Sequence, residues 1–184
     1  MIRNKKVIGI MLVLSLFGNL YLFNALYTSN KYIDFINDDH FNKYVNQFQQ
    51  LTNNMEKVIE DFENEENYLW MVSNSEYLRL NGGLPSNEMS ELSRSFILLG
   101  QQVNNTVTKY FYRNEGQILS QEQQEYLSEF NKNLQSVSNK FNEKYELFRT
   151  TNTTLKDEHR ELAHFIENIV ERNEEILLQI PPID

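Results

Sequence analysis

Apolar residues spaced three or four positions apart are the feature that most limits how this chain can fold. In the first stretch they are Phe41, Tyr44, Phe48, Leu51, Met55, Val58, Phe62, Leu69 and Val72. That spacing collects side chains on one side of an α-helix, whereas a strand needs alternation. Only six Gly and three Pro interrupt the 184 residues. We therefore predict an all-α fold built from long helices.

The first soluble helix is predicted to span residues 38–81. The Asn37-Asp38-Asp39 cluster marks its start, because short polar side chains cap free backbone N–H groups. The Asn81-Gly82-Gly83 sequence, with Pro85 just beyond, marks its end.

Two further helices precede a threonine-rich segment. The second helix begins at Ser86 or Asn87 and ends near Asn114-Glu115-Gly116. The third begins at Ser120, which forms a capping box with Gln123. Their apolar stripes are formed by Met89, Leu92, Phe96, Leu99, Val103 and Tyr110 in the second helix and by Leu127, Phe130, Leu134, Val137, Phe141 and Phe148 in the third.

Residues 150–154 (Thr-Thr-Asn-Thr-Thr) have low helix propensity, and we predict a break there, followed by a fourth helix that stops at Pro181-Pro182. One pattern opposes the break, because apolar residues stay seven positions apart from Leu127 to Ile176. The favoured architecture is an antiparallel bundle of four helices, and the alternative has three helices, the last of about 60 residues.

The N-terminal segment is predicted to be a transmembrane helix. Residues 7–27 contain no charge and, at about 1.5 Å per residue, form a helix of about 31 Å, long enough to cross a bilayer. Basic residues precede this run and acidic residues follow it, so the positive-inside rule predicts a cytoplasmic N-terminus. The predicted segments are a cytoplasmic tail at 1–6, a signal anchor in the cell membrane at 7–27, a juxtamembrane linker at 28–37 and an extracytoplasmic bundle at 38–184. A cleaved signal peptide is the alternative.

Composition and motifs exclude several classes of function. The net charge of -9 argues against nucleic-acid binding, and the absence of Cys excludes disulfides and thiolate metal sites. Glu161 and His164 have the Glu-x-x-His spacing that di-iron bundles use twice, but it occurs here once. His159 is predicted to pack within its stripe, and the acidic run 56–66 is predicted to be a solvated helix face. We expect no enzyme activity, no metal and no cofactor.

The first predicted helix is longer than the others, so its membrane-proximal stripe has no obvious cover within one chain. The exposed apolar residues would be Phe41, Tyr44, Phe48 and Leu51, which we predict to contact a partner, either a second copy or another membrane or extracytoplasmic protein. Asn19 could add a hydrogen bond between anchors. Residues 68–72 are apolar around the whole helix, which predicts either a central core position or a surface for a partner.

These features favour a membrane-anchored extracytoplasmic interaction or scaffold protein that acts through helix-helix contacts. The alternative is an extracytoplasmic sensor bundle. A transmembrane helix followed by a helical bundle is similar in layout to the four-helix sensor domains of bacterial chemoreceptors and sensor kinases. That resemblance in layout implies ligand sensing, and we expect the signal to pass through a membrane partner.

Overall fold

A computed structural model describes residues 2–84, 89–111, 119–151 and 153–181, with side chains for these except at 2–10, 12, 13 and 149. The described ranges are helical and contain no strand. Their five helices are α1 (Ile2–Glu60), α2 (Glu65–Leu80), α3 (Ser90–Tyr110), α4 (Gln121–Thr150) and α5 (Leu155–Leu177). The all-α prediction is confirmed, and these ranges hold five helices rather than four or three.

The chain divides into two compact units, one that ends at Ile36 and one that begins at Asn37. In the first unit the large apolar side chains from Met11 to Phe35 are exposed. Within the described residues, no helix has the length and apolar character that a membrane span requires. The transmembrane helix at 7–27 is therefore not supported by this structure and stays a prediction, and the side chains of 7–10, 12 and 13 lie outside the description.

The predicted helix start at Asn37-Asp38-Asp39 is wrong. Helix α1 runs through this cluster without interruption. The residues before Asn37 are already helical, so no free N–H groups remain there for a cap. Asp39 instead accepts a hydrogen bond from the Lys43 ammonium four residues later, at 2.6 Å.

The predicted long first helix is also interrupted, between α1 and α2. The side chains of Asp61 and Asn64 accept hydrogen bonds from the backbone N–H groups of Glu63 and Asn67, at 3.2 and 3.1 Å. Such local bonds compete with the helical ladder, and the Asn64 bond caps the start of α2. The chain therefore changes direction at a segment that the apolar spacing alone reads as continuous.

After this turn, α2 folds back along the second half of α1. His40 Nε2 lies 2.7 Å from the carbonyl oxygen of Asn81, which places the end of α2 beside the part of α1 where the second unit begins. Helix α2 also packs closely on α3, since a Cβ added at Gly100 would lie 2.6 Å from the Leu78 carbonyl oxygen. The predicted helix end at Asn81-Gly82-Gly83 is confirmed, with α2 ending at Leu80.

Helix α3 runs in the same direction as the second half of α1. Phe96 near its start packs on Phe41 and Tyr44, and Phe111 just after its end packs on Phe62. The predicted start at Ser86 or Asn87 lies outside the described residues. The predicted end at 114–116 also lies outside them, and α3 itself ends earlier, at Tyr110.

The boundaries of α4 and α5 agree with the local sequence signals. Ser120 accepts from the Gln123 backbone N–H at 3.2 Å, and the Ser120 N–H donates to Gln123 Oε1 at 2.9 Å. The predicted capping box is therefore confirmed. Helix α4 ends at Thr150 and α5 begins at Leu155, so the predicted break is confirmed and the single long helix is wrong. The Asp157 carboxylate accepts from both the backbone N–H and the hydroxyl of Thr154.

Polar contacts between helices fix the directions of α4 and α5. Asn131 donates to the Thr52 carbonyl at 3.1 Å, whereas Phe148, farther along α4, packs on Phe41. Helix α4 is thus antiparallel to α1. Asn173 on α5 donates to Gln102 Oε1 on α3 at 3.1 Å, and Glu167, earlier on α5, accepts from Ser95, earlier on α3, at 3.3 Å. Helix α5 is thus parallel to α3. Successive helices of the second unit alternate in direction and enclose one apolar core.

Candidate partner surfaces

The four residues predicted to await a partner lie in the core of the second unit. Phe41, Tyr44, Phe48 and Leu51 are at most 1% exposed. Phe141 from α4 packs edge-on against Phe41 and Phe48, with ring centroids 5.7 and 5.6 Å apart. The prediction that this stripe is uncovered is wrong. Because α2 folds back, α3 and α4 reach the whole stripe. The prediction assumed a single helix over 38–81 that was too long for the others to cover, and that helix is instead divided into α1 and α2.

Tyr44 shows how completely the chain covers these residues. Its ring stacks on Phe96 with centroids 4.3 Å apart, and its hydroxyl donates to the Phe96 carbonyl at 3.0 Å. Burial raises the pKa of the Tyr44 phenol far above its ordinary value. A partner therefore has no access to this position. Asn19, the fifth predicted contact residue, lies exposed in the first unit.

The Glu-x-x-His pair is separated by other contacts. Glu161 accepts hydrogen bonds from Lys140 and Lys144, at 2.9 and 2.8 Å, and these bonds lower its pKa to about 2. His164 is exposed and lies 3.8 Å from Glu167, three residues further on. Among the described residues, no group of three or more His, Asp or Glu side chains is arranged to hold a metal ion.

Lys144 joins α4 to α5 through a half-buried ion-pair cluster. Its ammonium lies 2.7 Å from Glu158 and 2.8 Å from Glu161, and its side chain is 6% exposed. Burial works to lower the pKa of Lys144, but the two carboxylates outweigh burial and leave the pKa raised. The cluster holds the two helices together beside their connection, and both carboxylate oxygens of Glu161 are paired with a lysine ammonium.

The other two histidines make local or tertiary hydrogen bonds. His159 Nδ1 lies 2.5 Å from the Lys156 carbonyl oxygen, and its side chain is half-buried. His40 lies against the end of α2 through the Asn81 contact. In each case one ring nitrogen contacts a backbone carbonyl oxygen.

Helix α2 carries exposed apolar residues on the side that faces away from the core. Leu69, Trp70 and Leu80 are 58%, 53% and 63% exposed, whereas Met71 and Leu78 are fully buried. We call Leu69, Trp70 and Leu80 the α2 face. Trp70 is the single Trp of the chain. Residues 68–72 thus resolve into one buried side, at Met71, and one exposed side.

A groove of about 480 Å³ lies between α3 and α5. Its lining residues are Leu98, Gln101, Gln102, Asn105, Thr106, Lys109, Tyr110, Val170, Glu174, Leu177 and Leu178. Both helices contribute polar and apolar side chains to this lining, for example Gln101 and Leu98 from α3 and Glu174 and Val170 from α5. The Tyr110 hydroxyl is buried and has no hydrogen-bond partner in the described part of the chain.

The sequence alone does not indicate the groove or the exposure of Leu80, and for residues 68–72 it leaves a core position and a partner surface as alternatives. The signal for the α2 face is present, because adjacent apolar residues such as Leu69, Trp70 and Met71 cannot all point to one core. The groove has no comparable signal, since its walls come from helices about 70 residues apart in the sequence.

Comparisons with family models, with curated proteins and with solved structures found no match to this chain.

Proposed function

We propose that this chain is a membrane-anchored extracytoplasmic interaction protein without catalytic activity. Residues 7–27 insert in the membrane as a signal anchor, and the bundle binds another extracytoplasmic or membrane protein through helix-helix contacts. The observation that carries the interaction role is the α2 face, an exposed apolar surface on a helix whose opposite side is fully buried.

The anchor is supported by sequence and exposure together. Residues 7–27 carry no charge, while Arg3, Lys5 and Lys6 precede them. The large apolar side chains described between Met11 and Tyr27 are more than half exposed. Apolar surface of this extent is unfavourable in water, and a bilayer covers it on every side of the helix.

The α2 face supports a protein partner rather than lipid for the bundle. Large exposed aromatic side chains with apolar neighbours are the usual centres of protein interfaces, and Trp is the residue most enriched there. Polar residues accompany the apolar ones on this helix, including the Arg79–Glu76 ion pair. A mixed surface of this kind matches a helix of another protein with its own apolar stripe.

Protease accessibility tests the anchor and its orientation. External protease should digest the bundle in intact cells that carry the protein, while residues 1–6 remain inside. Digestion only after the membrane is opened would contradict the orientation, and quantitative release into the medium would indicate cleavage.

Site-specific crosslinking tests the α2 face. Single cysteines at Leu69 and Leu80, in a chain without native Cys, should crosslink to one defined protein in membranes. Cysteines at Glu129 and Lys132, exposed on α4, serve as matched controls. Trp70→Asp should abolish the α2 crosslink and leave the helical circular dichroism unchanged. Equal crosslinking from α2 and α4 would reject the proposal.

A sensor bundle is the second candidate, and the groove between α3 and α5 favours it. The amides of Gln101 and Asn105 and the apolar side chains of Leu98 and Val170 suit a small amphipathic ligand. A thermal-shift screen with such compounds checks this role. A stabilising compound whose effect is lost in Val170→Trp would support it, and an effect that persists in this variant would reject the groove as the site.

A further inference from the structure

Residues 28–36, between the uncharged segment and the bundle, combine exposed aromatic side chains with polar ones. Tyr32 and Phe35 are 64% and 68% exposed, and Ile33 is also exposed. Lys31 places its ammonium 4.7 Å from the centre of the Tyr27 ring, a cation-π contact. The same segment holds Thr28, Ser29, Asn30 and Asp34.

Neither water nor the bilayer interior suits this segment. Each large apolar side chain left in water forgoes the free energy that burial would give it. Lys31 and Asp34, in turn, are costly in hydrocarbon. The layer of lipid headgroups lies between these two environments, and Tyr and Lys are residues typical of it.

The apolar positions of this segment also stop abruptly. Seven residues after Tyr32 and Phe35, the sequence has Asp39 and Asn42, both polar. A seven-residue step returns to nearly the same side of a helix. The change from aromatic to polar residues therefore marks the end of an apolar environment just after Phe35.

The pattern is that of a lipid boundary rather than of a protein partner. A partner helix covers one narrow stripe of residues three or four positions apart. Here Tyr32, Ile33 and Phe35 occupy neighbouring positions that spread around the helix and are all exposed. Lipid headgroups and acyl chains surround a helix without selecting one side.

We infer that the Tyr32 and Phe35 rings lie in the headgroup layer of a phospholipid membrane, with Lys31 beside lipid phosphate. The inference rests on the proposed anchor at 7–27. At about 1.5 Å per residue, Tyr32 lies about 7 Å beyond Tyr27, within the 5 to 8 Å depth of that layer. Helical side chains lean toward the N-terminus, so the Phe35 ring reaches back toward the same depth.

Fluorescence quenching in vesicles tests this placement. The full chain, with single cysteines at Leu20, Tyr32, Phe35 or Lys43, is labelled with a polarity-sensitive dye and reconstituted in phosphatidylcholine–phosphatidylglycerol vesicles. Nitroxides on the headgroup, nitroxides deep in the acyl chain and aqueous iodide report three depths. Leu20 should be quenched by the deep nitroxide, Tyr32 and Phe35 by the headgroup nitroxide, and Lys43 by iodide.

The reference positions separate the two ways in which this result could fail. Iodide quenching at Leu20 equal to that at Lys43 would overturn the anchor and, with it, this inference. Deep quenching at Leu20 together with iodide quenching at Tyr32 and Phe35 would overturn the headgroup placement alone. Protection of Tyr32 and Phe35 from all three quenchers, relieved by dilution with lipid, would overturn it in favour of contact with a second copy.

Discussion

Two stretches of α1 differ in the exposure of their apolar side chains. Between Met11 and Phe35 the large apolar residues are exposed, whereas between Phe41 and Ile59 they are buried. The difference follows from spacing. In the second stretch apolar residues recur every three or four positions and form one stripe, but in the first they occupy adjacent positions, as in residues 20–23. A stripe is covered by neighbouring helices, while an all-round apolar helix needs an apolar surrounding.

The largest expected effect comes from removing a ring that the buried stripe depends on. Phe141→Ala should lower the free energy of unfolding by about 3 to 5 kcal/mol, because this ring contacts Phe41, Tyr44, Phe48 and Phe96 and leaves a cavity. Denaturant unfolding followed by circular dichroism measures the change.

The matched control lies in the exposed stretch. Phe23→Ala should change the free energy of bundle unfolding by less than about 0.5 kcal/mol, since Phe23 is exposed. A similar loss in both variants would mean that the two stretches of α1 do not differ in burial.

A second, smaller effect tests how α2 is held after it folds back. Gly100→Ala should cost about 1 to 3 kcal/mol, because the new Cβ would lie 2.6 Å from the Leu78 carbonyl oxygen, and backbone cannot yield as a side chain can. Gly83→Ala is the control, since its Cβ would meet nothing closer than 4.0 Å among the described residues. An unchanged midpoint of thermal unfolding for Gly100→Ala would show that α2 is not packed on α3 at this distance.

The helix boundaries that sequence predicts correctly depend on local chemistry. The Ser120–Gln123 box and the end at Asn81 involve residues at most a few positions apart, so a single sequence shows them. The error at Asn37 has the same origin, because a capping residue indicates a start only if the preceding residues are not helical. The turn at Asp61 and Asn64 was not predicted, because Phe62, Leu69 and Val72 continue the apolar spacing across it.

The burial of the first stripe could not be predicted in the same way. Whether Phe41 and Tyr44 are covered depends on where the next helix goes, which is decided by the turn at residues 61–64. One local change of direction therefore converts a predicted contact surface into core. At Thr150–Thr154 the seven-residue spacing is also misleading, because it continues across a real break between α4 and α5.

A third prediction concerns the ion pairs between α4 and α5. The Lys144 and Lys140 hydrogen bonds lower the pKa of Glu161 to about 2, from an ordinary 4.5. A depressed carboxyl pKa contributes stability above the unfolded value, and that contribution is lost as pH falls from 4.5 toward 2. Because the Glu161 side chain is 55% exposed, Glu161→Gln should cost at most about 1 kcal/mol at pH 7.

The pH series gives this prediction its sign. The difference in unfolding free energy between the native chain and Glu161→Gln should shrink steadily below pH 4.5 and vanish near pH 2. A difference that is constant with pH would mean that Glu161 is not paired with the lysines.

The smallest expected effect belongs to the α2 face and is the most informative about function. Trp70→Ala should change the free energy of unfolding by less than about 0.5 kcal/mol, whereas the adjacent Met71→Ala should cost about 2 to 5 kcal/mol, because Met71 is fully buried and Trp70 is half exposed. Circular dichroism is the measurement for both, since Trp70→Ala removes the only Trp. A large aromatic ring that stability does not need is available to a partner. If Trp70→Ala costs as much as Met71→Ala, the ring is held by its own chain, and the α2 face is not free to bind another protein.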